Sequence, residues 1–238
     1  MSGTLAGLAF RSCMSTIAIL PVKSFGAAKQ RLAPALGAGS RQALAQAMFS
    51  DVLASLRRVS ELDSVAVVTA DRVAEAAARG ERVQVLRDTA QSGQSAAALI
   101  GIRHALAAGF ARVLLVPGDT PLLDPGEVAG LLARTRSVSI VPDRHGTGTN
   151  ALVLSPPDAI EPSFGPGSRA RHVAAAEAAR LPYAVEHLPT LMLDVDTGDD
   201  LAVLAARLGE RHGQAPSTRG ALRQLDRSRA SRSSPVPA

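Results

Sequence analysis

The chain has one cysteine, no tryptophan, one tyrosine and, among 26 basic residues, only two lysines, Lys23 and Lys29. A lone Cys13 excludes an intramolecular disulfide and fits a cytoplasmic protein. Aromatic residues make up 3% of the chain, too few for the stacking platform that holds single-stranded nucleic acid. No run of about 18 apolar residues occurs, so no membrane span is expected. The first apolar run, Thr16–Val22, lacks a basic flank and a small-residue cleavage pattern, and reads as a strand rather than a signal peptide. The scarcity of lysine is the most pointed of these absences. Wherever either cation would serve, this sequence uses arginine, yet both lysines fall in one short loop. An ammonium is a compact point charge that can follow a phosphate, which a planar guanidinium does not imitate.

What is present is a chain of 238 residues, 46% apolar, long enough for one domain with a sizeable core. The net charge is +5, and it belongs to one end. In residues 211–238, Arg211, Arg219, Arg223, Arg227, Arg229 and Arg232 face Asp226 alone, so residues 1–210 balance to zero. That Arg-, Ser- and Pro-rich segment is expected to be a disordered, solvated tail, with contact to anionic partners as the lesser alternative. Residues 1–13 read as a loose extension, with Met14 as an alternative start, and residues 14–210 as a single domain.

Short apolar strands alternate with amphipathic helices. Strands are expected at Thr16–Val22 and at residues 64–70, 83–87, 112–117, 138–142, 151–154, 183–188 and 191–194. Helices are expected over residues 40–58, with Ser40 as N-cap, and over 71–79, 95–108, 125–134, 168–180 and 198–208. This rhythm predicts an α/β fold with a mostly parallel sheet covered by helices on both faces.

Ligands of such sheets bind at the carboxyl ends of the strands. Neither G-x-x-x-x-G-K-[ST] nor a G-x-G-x-x-G after the first strand is present, which disfavours a P-loop enzyme and a dinucleotide-dependent oxidoreductase. The first strand instead runs into residues 21–32, where Lys23, Lys29 and Arg31 could meet a triphosphate. The second strand ends in Thr69, Ala70 and Asp71, and Gly93, Gln94 and Ser95 open a helix after the third. The fourth ends in Pro117, Gly118 and Asp119. An acid directly after a buried strand is placed to hold a divalent cation, although a turn or cap role competes. Asp194 and Asp196 share a face by alternation and are further cation candidates, whereas Asp199 and Asp200 suit the N-terminus of a helix. Residues 143–150 and 164–171 supply hydroxyls, glycines and a helix start, a natural anion site or ordinary turn chemistry. His145, in a loop, receives no role.

Four segments then narrow the reading: Leu20-Pro-Val-Lys23 with Lys29-x-Arg31-Leu32, Gly146-Thr-Gly-Thr-Asn-Ala151, Phe164-Gly-Pro-Gly-Ser168 and Leu193-Asp-Val-Asp-Thr197. Over residues 16–208 the chain resembles the guanylyltransferases of deazaflavin coenzyme F-420 biosynthesis. These are relatives of molybdopterin and sugar nucleotidyltransferases with a Rossmann-like, GT-A-type core. The resemblance implies transfer of GMP from GTP to phosphoenolpyruvate, giving enolpyruvyl-diphosphoguanosine and diphosphate, for a downstream transferase to consume. 2-Phospho-L-lactate, or the sugar-phosphate and molybdopterin acceptors of the wider group, are the alternatives. It further implies that Thr149, Gly165 and Ser168 bind phosphoenolpyruvate and that Asp119, Asp194 and Asp196 hold Mg2+. GTP would lie on Lys23, Lys29 and Arg31 with Ala70 and Asp71, its base read by the Pro21–Val22 backbone and by Gln94 and Ser95. A second acid often stands beside the position of Asp119 in this group. Here Gly118 and Thr120 flank it, which leaves the metal count open.

Overall fold

Alternating burial along the first strand sets the architecture. In β1 (Thr16–Val22), Ala18 and Leu20 face one helical layer while Ile17 and Ile19 face the other, all four fully buried. The computed structural model describes residues 14–210 and 213–233, so residues 1–13, expected as a loose extension, lie outside it. Seven strands form one sheet in the order β3-β2-β1-β4-β6-β5-β7: β2 (Ser64–Thr69), β3 (Gln84–Arg87), β4 (Arg112–Leu115), β5 (Val138–Pro142), β6 (Thr149–Leu154) and β7 (Tyr183–Val185). All neighbours pair in parallel except β6, which runs antiparallel to both β4 and β5. The expected mostly parallel sheet is therefore present. The reversal of β6 has a consequence for the site, because it brings Thr149 to the edge where the other strands end.

One face is covered by α1 (Ala38–Leu56), α2 (Arg72–Gly80) and α4 (Pro125–Arg134), through Phe49, Val52, Leu53, Ala74, Ala78, Val128 and Leu131. The opposite face is covered by α3 (Gln94–Ala107) and α5 (Ser168–Ala178), through Ala98, Ile102, Ala105 and Ala176. Gly101 lets α3 lie directly on β1, since a Cβ there would fall 2.3 Å from a methyl of Ile19.

Three sequence expectations are corrected. Helix α1 begins two residues before Ser40 and is capped by Gly37, so Ser40 lies inside it. Residues 191–194 form no strand. They keep the alternation of an extended chain, with Leu193 and Val195 fully buried and Asp194 and Asp196 half-buried, but find no ladder partner. The third correction concerns the basic segment. Residues Pro216–Ser233 form α7, packed on α1, rather than a disordered tail. Its Arg and Ser content obscured an apolar stripe, in which Ala221, Leu222 and Leu225 join Leu44, Met48, Leu193 and Val195 beside α6 (Gly198–Glu210). Buried Asp51 anchors the helix start by accepting the N–H groups of Ser217 and Thr218 at 3.0 and 2.7 Å.

Candidate active site

The carboxyl ends of β1 to β5 open onto a cleft of about 850 Å3, within the usual range for small-molecule sites. One wall is the loop after β1. Its path is held by the end of β2. The Thr69 hydroxyl donates to the Val22 carbonyl at 2.9 Å, and Asp71 accepts the Phe25 N–H at 2.9 Å. Asp71 also caps α2 through the N–H groups of Val73 and Ala74. Burial pushes its carboxyl up, but these hydrogen bonds hold it below its ordinary value. Asp71 thus shapes the loop, and Ala70 rather than Asp71 lines the cleft.

Lys23 and Arg31 line the cleft, Lys23 exposed and the Arg31 side chain 72% exposed. Lys29 is different. Its backbone is left-handed, with φ of 56°, and its side chain is 7% exposed. The ammonium donates to Asp119 and, at 2.9 Å, to Oδ1 of Asp196. Burial would push this amine down, but the charges of Asp119 and Asp196 outweigh it and hold Lys29 above its ordinary value.

Asp194 stands beside this pair. Burial and the charge of Asp119 push its carboxyl up to about 6, opposed by a hydrogen bond from Asn150 and reinforced by Asp196. Asn150, on β6, donates to Asp194 at 3.1 Å and to the Leu191 carbonyl at 3.0 Å, clamping the acidic segment to the sheet. The backbone of that segment is fixed again at Asp200, which accepts from the N–H groups of Asp196 and Thr197 and from the Thr197 hydroxyl. Thr197 and Asp200 form a capping box for α6, and Arg144 pairs with Asp200 at 2.7 Å. The dipole role expected of Asp200 is therefore joined by a second, the positioning of Asp196.

The three aspartates do not close into a ready-made cage. Among the described residues no three His, Cys, Asp or Glu side chains converge as a metal-binding group, and Lys29 stands between Asp119 and Asp196. The donor set nonetheless fits a hard cation. Oδ1 of Asp119 is buried without a hydrogen-bond partner, and the crowding that raises Asp194 is what a bound cation relieves. Magnesium commonly uses one or two carboxylates and completes its shell from substrate phosphates and water.

Part of the floor of the cleft is made by the β3–α3 connection. Gly93, with φ of 110°, caps α3 without a side-chain hydrogen bond, and Gln94 and Ala97 line the cleft. Ser95 does not line it. Its hydroxyl instead accepts the Phe164 N–H at 2.9 Å, tying α3 to the far wall. Asp88, 8% exposed, lies at the cleft with Oδ1 on the Gln91 N–H. Sequence reasoning missed it, although the signal used for Asp119, an acid directly after a strand, applies equally here.

The far wall holds Thr149, Gly165 and Ser168. The loop before Thr149 folds back on Asp143, which accepts the Thr147 N–H at 2.9 Å. Gly148 is required there, because a Cβ would fall 2.6 Å from the Asp143 carboxylate. The start of α5 offers less than its sequence suggests. The N–H groups of Ser168 and Arg169 already donate to the carbonyls of Gly165 and Thr147. The hydroxyls of Thr149 and Ser168 therefore matter more. They lie 3.1 Å apart, with His172, a residue sequence reasoning passed over, 3.0 Å from Thr149.

Residues 16–235 match the family model described as guanylyl transferase CofC like. The chain belongs to this family. A relative from Conexibacter woesei named phosphoenolpyruvate guanylyltransferase is 51% identical over 216 residues, covering 89% of this chain and 97% of that protein. One of the same name from Sphaerobacter thermophilus is 38% identical, over 81% and 93%. Among solved structures, a protein from Desulfovibrio desulfuricans G20 described as a nucleotide-diphospho-sugar transferase superposes with a TM-score of 0.73 at 21% identity, over 90% of this chain and 96% of that one. A nucleotidyl transferase from Methanothermobacter thermautotroptrophicus gives 0.60 at 18%, over 82% and 98%. At those identities the likeness concerns the fold. The family match covers α7 as well as the sheet, so the basic helix belongs to the family domain. No helix among the described residues of this guanylyl transferase CofC-like protein is long and apolar enough to cross a membrane.

Proposed function

We propose that the protein transfers GMP from GTP to phosphoenolpyruvate, forming enolpyruvyl-diphosphoguanosine and diphosphate in coenzyme F-420 biosynthesis. The observation that carries this is the two-sided cleft. A cationic loop with Lys23 and Arg31 faces a hydroxyl-lined wall with Thr149 and Ser168, and carboxylates lie between them. The names of the curated relatives supply the acceptor.

A phosphate oxygen of the acceptor attacks the α-phosphorus of GTP. The bond from that phosphorus to the bridging α–β oxygen breaks, and the bonding pair leaves on diphosphate. The nucleophile is already ionised, so no proton need be removed. The protein brings two polyanions together and meets the growing charge on the leaving group. Lys23 and Arg31 serve the phosphates, while Lys29 holds Asp119 and Asp196 together beside them. Asp119, Asp194 and Asp196 are the residues that would hold Mg2+. Such an ion, when bound, would neutralise phosphate charge as the bond to the leaving group breaks. The carboxylate of Asp88 suits the paired N1–H and amino donors of guanine, with Gln94 and the Pro21–Val22 backbone beside it. We further propose cytoplasmic operation and delivery of the product to a downstream transferase.

The test is to incubate the protein with GTP, Mg2+ and phosphoenolpyruvate, follow diphosphate release and identify the nucleotide product by mass. 2-Phospho-L-lactate is run in parallel. Diphosphate formation with neither acid would overturn the reading, and preference for the lactate would move it to the neighbouring acceptor.

A further inference from the structure

His172 is fully buried on α5 and contributes nothing directly to the cleft. Both of its ring nitrogens are committed. Nε2 lies 2.8 Å from the backbone nitrogen of Ser163, which can only donate, so Nε2 must be the acceptor. A neutral imidazole then carries its proton on Nδ1, and Nδ1 faces Oγ1 of Thr149 at 3.0 Å. The Ser168 hydroxyl, itself fully buried, donates to the same Thr149 oxygen at 3.1 Å. Thr149 thus has both lone pairs filled from behind. It keeps one thing to offer the cleft, its own proton.

We infer that His172 is a positioning residue that makes the Thr149 hydroxyl an obligate hydrogen-bond donor toward the acceptor substrate. The inference rests on the acceptor site proposed above. It gives that wall a chemical preference for an oxyanion, since a ligand group that could only donate would find no acceptor at Thr149. It also explains how the wall works with two of the α5 N–H groups already spent. Burial, followed by the adjacent Arg171 charge, pushes the imidazole down to about 4, which keeps the ring neutral through the physiological range. The Phe164 ring packs edge-on at 5.4 Å, holding the imidazole plane.

Two substitutions separate the ring's two functions. His172→Asn retains a donor near the position of Nδ1 and loses the acceptor for Ser163. His172→Gln places its amide near Nε2 and loses the donor to Thr149. The expected result is an increase of about ten-fold or more in KM for phosphoenolpyruvate with His172→Gln and a smaller one with His172→Asn, the KM for GTP being unchanged in both. Adding His172→Gln to Thr149→Val should cost little beyond Thr149→Val alone, because His172 acts through that hydroxyl. Additive losses, or equal increases in KM for both substrates, would overturn the inference in favour of a purely structural histidine.

A measurement on the unmodified protein stands apart from activity. Long-range 15N–1H correlation at neutral pH should show His172 as the Nδ1–H tautomer. An Nε2–H tautomer or an imidazolium would overturn the proposal even if every variant failed to fold. If the wild-type protein turns over no phosphorylated acid, the functional reading and this inference both fall. If it does, and His172→Gln leaves its KM unchanged, only this inference falls.

Discussion

Lys29 and Asp196 are 167 residues apart in the chain and 2.9 Å apart in space, Nζ to Oδ1. With Asp119 on the other side, the ammonium bridges two carboxylates that would otherwise repel each other. The protein therefore carries an internal positive charge where the proposed function calls for a cation. A cation bound there would have to share these carboxylates with Lys29 or displace it.

Lys29→Arg should lower kcat/KM for GTP despite keeping the charge, because a planar guanidinium does not fit a position whose side chain is 7% exposed. Lys29→Met should cost the free protein on the order of 1–3 kcal/mol, less than a fully buried pair would, since Asp196 is 43% exposed. Steady-state kinetics check the first, and thermal melts with and without Mg2+ check the second. The cation should raise the melting temperature of Lys29→Met more than that of the wild type, and equal rises would argue against competition for the same carboxylates.

Asp88→Asn should reduce kcat/KM for GTP by about ten-fold or more, through loss of a charged hydrogen-bond acceptor for guanine. Inosine triphosphate, which lacks the amino group, should suffer a smaller loss. Steady-state kinetics with both nucleotides decide this, and equal losses would remove Asp88 from base recognition.

Removal of residues 211–238 should destabilise the protein and impair turnover. Leu222 and Leu225 share a cluster with Leu193 and Val195, the buried neighbours of Asp194 and Asp196. Asp51→Ala is the milder version. It leaves the N–H groups of Ser217 and Thr218 without their acceptor, at a cost of about 1–2 kcal/mol. Urea unfolding measures the cost, and an unchanged midpoint for Asp51→Ala would deny the anchor.

His172 gives a pH signature. Its folded value, about 4, lies below the ordinary 6.5, so the unfolded chain takes up the proton first as pH falls. The resulting penalty is absent above about pH 7 and grows as pH falls toward the folded value, reaching about 2 kcal/mol near pH 5. Chemical denaturation at these two pH values should show wild type losing more stability than His172→Gln on acidification. Parallel losses would show that His172 titrates normally.

Much of this was legible in the sequence because apolar runs with sharp polar or proline boundaries leave little choice. β1, β5 and α4 appear with both ends as expected. The acidic pair on one face was also legible, since burial at Leu193 and Val195 follows the same alternation with or without a ladder. Other features depend on contacts between distant segments. Asp71 and Asp119 look alike, each an acid after a buried strand. One is consumed by α2 and Phe25, while the other keeps a buried oxygen open. His172 sits in an Ala-rich helix whose periodicity gives its burial, but not the hydroxyl it meets. The composition of α7 described its solvent face, and three apolar side chains were too few to outweigh it.

The hydrogen bond from the Phe164 backbone to Ser95 joins the first turn of α3 to the loop that leads into α5. Under the proposed function, a nucleotide that shifts the start of α3 would strain a bond one residue from Gly165. Such a connection is reciprocal: if GTP tightens the hold on the acid, the acid must tighten the hold on GTP by the same factor. The two halves of the cleft would then fill cooperatively, and a site holding only one of its two polyanions would be the less populated state.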